Sequence, residues 1–160
     1  MTGDEELAPE NVQSYPRPPA LEPVRQRVTV VLGGATIVDT RRALRVLETH
    51  HAPTYYIPRE DIEAALADAP GRSFCEWKGR ARYFHLTAGG RTARRAAWTY
   101  EAPSTRFGLL AGHLALYASL MDRCTVGGVE VSAQPGDFYG GWITPNLEGV
   151  VKGGPGTEHW

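Results

Sequence analysis

Short runs in which apolar and polar residues alternate dominate the chain from Val24 onward. In the first run, Gly33 and Gly34 follow the apolar residues and provide a tight turn into Ala35–Val38. A period of two places every second side chain on the same face of a strand. The apolar residues that share this face are Val24, Val28, Val30 and Leu32. This stretch therefore predicts a β-hairpin.

Similar runs recur along the chain between Gly and Pro residues, which interrupt strands. The further predicted strands are Thr54–Ile57, Ser73–Cys75, Ala81–Leu86, Ala96–Tyr100 and Val129–Val131. The segment Ala43–Leu47 fits either a strand or a helical turn. Many short strands separated by turns are typical of antiparallel sheets. The pattern predicts a mainly β fold.

Two segments fit a helical pattern better. Pro58 is suited to the first position of a helix, and Glu60 and Asp61 would lie near the positive end of its dipole. We therefore predict one short helix over Pro58–Ala67. The apolar residues of Leu109–Leu120 also follow a helical period.

The two ends of the chain differ in composition from the middle. Residues 1–22 are rich in Pro and acidic residues, which predicts a flexible tail. Residues 23–135 would form the β domain. Residues 136–160 combine Gly with aromatic residues, so we expect an ordered extension packed on that domain.

Length and charge limit the partners that the protein can have. A chain of 160 residues fits one domain, and a net charge of −1 is too near neutral for non-specific nucleic-acid binding. No apolar run is long enough to cross a membrane. Two cysteines and an acidic N-terminus favour a cytoplasmic protein, without nucleic acid or membrane as a partner.

The order of the motifs resembles the bacterial domain-of-unknown-function family 427 over about residues 24–131. The motifs are the Gly-Gly hairpin, Val46-Leu47-Glu48, Thr54-Tyr55-Tyr56-Ile57-Pro58-Arg59-Glu60-Asp61-Ile62, Cys75-Glu76-Trp77-Lys78-Gly79 and Ala97-Trp98-Thr99-Tyr100. The resemblance implies a β-tent of curved antiparallel sheets, the architecture of methionine sulfoxide reductase B and of the thalidomide-binding domain of cereblon. It also implies a strand, rather than a helix, within Leu109–Leu120.

Metal and cofactor binding are not expected. Related tents often hold zinc with two Cys-x-x-Cys pairs, but here the turn places Lys78 after Cys75, and Cys124 stands alone. His50 and His51 are adjacent, so on a strand they would face opposite sides and would not share a metal ion. We predict no metal site and no cofactor.

Three residues are candidates for catalysis. Cys75 would be a nucleophile if a neighbouring positive charge favoured its thiolate, and the candidate partners are Lys78 in the same turn and His85. Lys78 would bind an anionic ligand or pair with Glu48, and Glu48 would act as a general acid or base. The alternatives are a buried apolar cysteine, a structural ion pair and an exposed strand-end carboxylate.

Aromatic residues would line a ligand pocket if the sheet curved around them, although aromatic residues also fill ordinary cores. The candidate ligand-binding residues are Tyr55, Tyr56, Tyr83, Trp98, Tyr100 and Trp142, with Tyr139 beside them. The sequence thus predicts a small-molecule pocket that supports a cofactor-independent reaction or simple ligand capture. The alternative is a non-catalytic ligand-binding or protein-interaction module, in which the C-terminal stretch docks another subunit of a homo-oligomer.

Overall fold

The fold is known from a computed structural model that describes residues 7–75, 77–135 and 140–153. Strands make up most of this described part. They are β1 (Glu10–Asn11), β2 (Ala20–Pro23), β3 (Val28–Leu32), β4 (Ala35–Thr40), β5 (Leu44–Leu47), β6 (Thr54–Pro58), β7 (Ala65–Cys75), β8 (Gly79–Ala88), β9 (Arg91–Thr99), β10 (His113–Leu116), β11 (Arg123–Val126), β12 (Val129–Glu130), β13 (Ser132–Ala133), β14 (Trp142–Ile143) and β15 (Leu147–Glu148). The mainly β prediction is confirmed, and Ala43–Leu47 is a strand rather than a helical turn.

The helical segments of the described residues are short 3₁₀ turns. They are Val12–Ser14, Arg59–Asp61, Thr105–Leu110 and Ala118–Leu120. No helix within residues 7–75, 77–135 and 140–153 has the length and apolar character needed to cross a membrane.

The predicted helix over Pro58–Ala67 is present only as the single turn Arg59–Asp61. Its extension to Ala67 is wrong, because β7 begins at Ala65, which pairs with Thr87 of β8. β8 pairs with β7 over Ala65–Ala69 and again over Arg72–Cys75, and this pairing overrides the weak local helix preference.

The helical interpretation of Leu109–Leu120 is also wrong, and the strand that the family resemblance implied is present as β10. Two 3₁₀ turns flank this strand, and Leu114, Ala115 and Leu116 are all buried because both faces of the sheet are covered. A short strand buried on both faces lacks the alternation that identifies a strand in a sequence.

Two antiparallel sheets form the body of the protein. The larger one has seven strands in the order β2-β5-β6-β10-β9-β8-β7, and the smaller one has the order β12-β11-β3-β4. The predicted hairpin is confirmed as β3 and β4, which are joined at Gly33 and Gly34 with φ of 60° and 78°. Both glycines adopt the left-handed conformation that a tight two-residue hairpin turn requires.

The main hydrophobic core lies between the two sheets. Val28, Val30 and Leu32 of β3 are fully buried and pack in one cluster with residues of the larger sheet. From the larger sheet this cluster includes Tyr55, Ile57, Phe84, Leu86, Leu114 and Leu116. The opposite face of the larger sheet carries a second, mainly aromatic cluster.

The described parts of both chain ends pack on these sheets. The prediction of a flexible tail is wrong for residues 7–22, because β2 pairs with β5 and Val12 is fully buried. Residues 140–153 include β14, which pairs with β13, and β15, which pairs with β1. The remaining parts of the predicted tail and extension, residues 1–6, 136–139 and 154–160, lie outside the described residues.

Candidate functional site

The second face of the seven-stranded sheet carries a row of residues that are aligned across four strands. Tyr56 of β6 lies opposite Ala115 of β10, and Ala115 lies opposite Trp98 of β9. Trp98 in turn lies opposite Tyr83 of β8. Cross-strand neighbours on one face have their Cβ atoms only about 5 Å apart, so the register brings these aromatic side chains together.

The rings of this row contact one another edge to face and at a tilt. Tyr56 and Trp98 have ring centroids 6.4 Å apart at 80°, and Tyr117 lies 4.6 Å from Trp98. The methyl group of Ala115 fills little of the space between the two larger rings. Gly140 covers Trp98 so closely that a Cβ atom there would lie 2.1 Å from the Cη2 atom of the indole.

The rings of Tyr56, Tyr83, Trp98 and Tyr117 line an open cleft with a volume of about 470 Å³. The register brings together seven of the residues that the sequence analysis selected. They are Glu48, Tyr56, Cys75, Lys78, Tyr83, Trp98 and Tyr100. The candidate catalytic residues and most of the candidate ligand-binding residues therefore share one surface.

Two of the selected aromatic residues lie elsewhere. Tyr55 and Trp142 are stacked with ring centroids 5.1 Å apart and belong to the main core. Tyr55 precedes Tyr56 on β6, so its side chain points to the opposite face. The Trp142 indole donates a hydrogen bond to the Leu116 carbonyl over 3.0 Å. Neither ring lines the cleft, and Tyr139 lies outside the described residues.

Lys78 is held in the turn between β7 and β8, where the sequence predicted a bend. Ser104 fixes this turn, since its N–H donates to the Lys78 carbonyl and its hydroxyl donates to the Trp77 carbonyl. The Lys78 side chain is only 8% exposed, and its Nζ lies 5.8 Å from the Tyr100 ring centroid and 5.9 Å from that of Phe107. Within the described part of the chain, no carboxylate forms an ion pair with this ammonium.

Glu48 follows β5 and lies on the same cleft, half-buried, with His51 as its neighbour. The Nε2 atom of His51 is 4.0 Å from a carboxylate oxygen of Glu48. His50 and His51 occupy a turn rather than a strand, and His50 has a φ of 66°. The expected pairing of Lys78 with Glu48 is not formed.

A buried glutamine sets the protonation of His51. The Gln134 amide Nε2 lies 3.1 Å from Nδ1 of His51, and because an amide nitrogen only donates, Nδ1 accepts. Gln134 also donates to the Lys152 carbonyl and accepts from the Ala52 N–H, so both ends of its side chain are bonded. The ring is therefore fixed as the neutral tautomer with its proton on Nε2.

Burial and the positive charges near the cleft both lower the pKa of His51. Burial lowers this pKa to about 4, and the nearby charges of Lys152 and Lys78 lower it further in the same direction. Burial also raises the pKa of Tyr56 well above its usual value and raises the pKa of Tyr117 to about 12. At neutral pH the cleft thus offers protonated phenols, which are hydrogen-bond donors, beside the ammonium groups of Lys78 and Lys152 and the carboxylate of Glu48.

The two cysteines differ in environment. Cys75 is partly exposed at the end of β7 and lines the cleft, whereas Cys124 is buried in the main core. Burial raises the pKa of the Cys124 thiol to about 12. Over the residues that the structure describes, no group of three His, Cys, Asp or Glu side chains is arranged to hold a metal ion.

Several cleft residues were not selected from the sequence. His51 was considered only as a metal ligand, and Tyr117 only as part of a helical pattern. Others gave no signal at all. These are Ser73, whose hydroxyl lies 2.6 Å from that of Tyr83, and Lys152, together with Gln134, which bonds His51 from outside the cleft lining. The one indication in the sequence that the backbone passes close to a ring was the pair Gly140-Gly141 next to Trp142.

The sequence profile of the family described as Domain of unknown function (DUF427) matches residues 20–127. Because the match covers more than half of the chain, the protein belongs to this family. A comparison with curated proteins gives no significant match. Gly140, Gly141 and Lys152 line the cleft from outside the matched region. The structural likeness to methionine sulfoxide reductase B and cereblon stays a prediction.

Proposed function

We propose that this member of the domain-of-unknown-function family 427 binds a small organic anion with a flat apolar body in the aromatic cleft. The volume of about 470 Å³ is within the range of small-molecule sites, which combine apolar walls with a few polar groups. Tyr56, Tyr83 and Trp98 provide such walls for a ring. Tyr100 extends the same surface toward the turn that carries Lys78.

The observation that carries this proposal is the position of Lys78. A buried ammonium is costly unless it is paired, and the described residues provide only the faces of Tyr100 and Phe107. A carboxylate, sulfonate or phosphate group of a ligand would supply the missing negative charge. The neighbouring phenols would donate hydrogen bonds to the same group.

Calorimetric titration with indole-3-propionate and its neutral amide, indole-3-propionamide, tests the proposal. The wild-type protein should bind the acid at least about tenfold more tightly, because a hydrogen bond to a charged group contributes roughly 1.5 to 3 kcal/mol. Lys78→Met should remove this preference while leaving the binding of the amide nearly unchanged. Equal binding of acid and amide by the wild-type protein would count against an anion site.

A matched control separates a local effect from a general loss of charge. Arg80 is exposed on the strand that follows the same turn and does not line the cleft. Arg80→Met should retain the preference for the acid, and thermal unfolding should show that both variants are folded. If Arg80→Met and Lys78→Met weakened acid binding equally, the role assigned to Lys78 would be wrong.

A second candidate function is a cofactor-independent reaction with Cys75 as nucleophile, because Cys75 lines the cleft together with Lys78 and Glu48. Incubation with p-nitrophenyl acetate tests it, since attack by the Cys75 sulfur would transfer the acetyl group and release p-nitrophenolate. Mass spectrometry should locate one acetyl group on Cys75, absent in Cys75→Ser and retained in Cys124→Ala. A rate no faster than that of free cysteine would argue for ligand binding without turnover.

A further inference from the structure

Among the described residues, one carboxylate, that of Glu48, and two ammonium groups, those of Lys78 and Lys152, line the cleft. Glu48 and Lys78 both line it, yet they form no ion pair with each other. The Glu48 carboxylate lies beside His51, which is held in its neutral form by Gln134. Within the described part of the chain, the Glu48 carboxylate and the Lys78 ammonium therefore each face the cleft without an ion pair to a fully charged group.

Such an arrangement discriminates against ligands that carry one kind of charge. A purely anionic ligand is attracted by Lys78 but repelled by Glu48. A purely cationic ligand is attracted by Glu48 but repelled by Lys78. Complementary charges raise affinity for the correct partner, and repulsion suppresses incorrect ones. A molecule that carries both charges gains at both ends.

We infer that the ligand is a zwitterion, namely a small acid that also carries an amino group and has a flat apolar body. Its acidic group pairs with Lys78, its ammonium pairs with Glu48, and its ring packs on the floor formed by Tyr56, Trp98 and Tyr83. The chemical class that meets these requirements is that of aromatic amino acids and close derivatives. This inference rests on the proposed function, since it assigns the acidic group to Lys78.

Three indole compounds that differ in which charged groups they carry test the inference by calorimetry. L-Tryptophan carries both charges, indole-3-propionate lacks the amino group, and tryptamine lacks the carboxylate. The wild-type protein should bind tryptophan at least about tenfold more tightly than either of the others, as expected for one additional charged hydrogen bond.

Two variants assign the charges to their residues. Glu48→Gln should bring the affinities for tryptophan and indole-3-propionate to within about threefold of each other. Lys78→Met should do the same for tryptophan and tryptamine. Glu63→Gln, which removes an exposed carboxylate away from the cleft, should leave all three affinities unchanged.

The outcomes separate this inference from the proposed function. If indole-3-propionate binds through Lys78 and tryptophan binds no more tightly, the anion site stands and the zwitterion inference is overturned. The same holds if Glu48→Gln leaves the preference for tryptophan intact. If Lys78→Met affects neither compound, the proposed function fails as well.

Discussion

The two faces of the seven-stranded sheet are built from neighbouring residues of the same strands, but they differ in packing. On one face Ile57, Leu114 and Leu116 are covered by the smaller sheet and are at most 2% exposed. On the other face Tyr56 and Trp98 carry rings that leave a cleft open above them. The first face has the close packing that stabilises a fold, and the second has space and charge that suit recognition.

Under the proposed function, one sheet separates stability from ligand binding. Consecutive residues of a strand point to opposite faces, so Tyr55 joins the core while Tyr56 joins the cleft. Substitutions on the two faces should therefore have different consequences. Core substitutions should change mainly the free energy of unfolding, and cleft substitutions should change mainly ligand affinity.

The largest effect is expected on the core face. Leu116→Ala removes a fully buried side chain, and the cavity should lower the free energy of unfolding by about 2 to 5 kcal/mol. Urea denaturation measures this loss. Phe74→Ala, on an exposed cleft-edge residue, is the matched control and should change stability by less than about 0.5 kcal/mol. Similar losses in both variants would contradict the distinction between the faces.

A methyl group at Gly140 should disturb the cleft face. Because the added Cβ atom would lie 2.1 Å from the Trp98 ring, either the ring or the backbone must move. Gly140→Ala should lower the free energy of unfolding by about 1 to 3 kcal/mol, as overpacking does, and should weaken the binding of indole-3-propionate about tenfold. Gly108→Ala is the control, because its Cβ atom would enter open space. Unchanged affinity in Gly140→Ala would show that this glycine does not shape the binding surface.

The pH dependence of stability should report on His51. Its pKa is about 4 in the folded protein and about 6.5 in the unfolded chain, so between these values the unfolded chain binds more protons. The stabilisation from His51 is therefore complete above about pH 6.5 and is lost as the pH falls toward 4.

Between pH 7 and pH 5 this loss should amount to roughly 2 kcal/mol of unfolding free energy. Chemical denaturation at the two pH values measures it, and the same experiment on His51→Gln subtracts the contribution of all other groups. An equal pH dependence in the variant and the wild-type protein would mean that His51 is not held neutral in the cleft.

Much of the β architecture could be predicted from local patterns. The Gly33-Gly34 hairpin, the strand after Pro53 and the bend at Trp77-Lys78-Gly79 all depend on residues close together in sequence. The predictions failed where pairing with distant strands decided the structure. Ala65–Ala67 joined β7 because β8 was beside it, and β10 lost its alternation because both of its faces are covered.

The candidate site was predicted in part for a similar reason. Glu48, Cys75 and Lys78 could be selected from the sequence because their carboxylate, thiol and ammonium groups are reactive or charged, whichever face of the sheet they occupy. Whether the rings of Tyr55 and Trp142 lie in the cleft or in the core depends on the face of the sheet to which each ring points. Gln134 could not be selected, since a glutamine fixes a histidine tautomer only when the fold brings the two together across 83 positions of the chain.

Local sequence patterns were enough to predict that this protein is mainly β, where most of its strands lie and which residues have reactive or charged side chains. These properties follow from side-chain periodicity, turn residues and functional groups, which are local. The tertiary structure was needed to show that Tyr56, Trp98 and Tyr83 form one row, that residues 7–22 pack on the sheets and that Lys78 and Glu48 share a cleft without pairing. These properties depend on strand register and on contacts between distant segments, because one residue of shift in register exchanges the two faces of a strand.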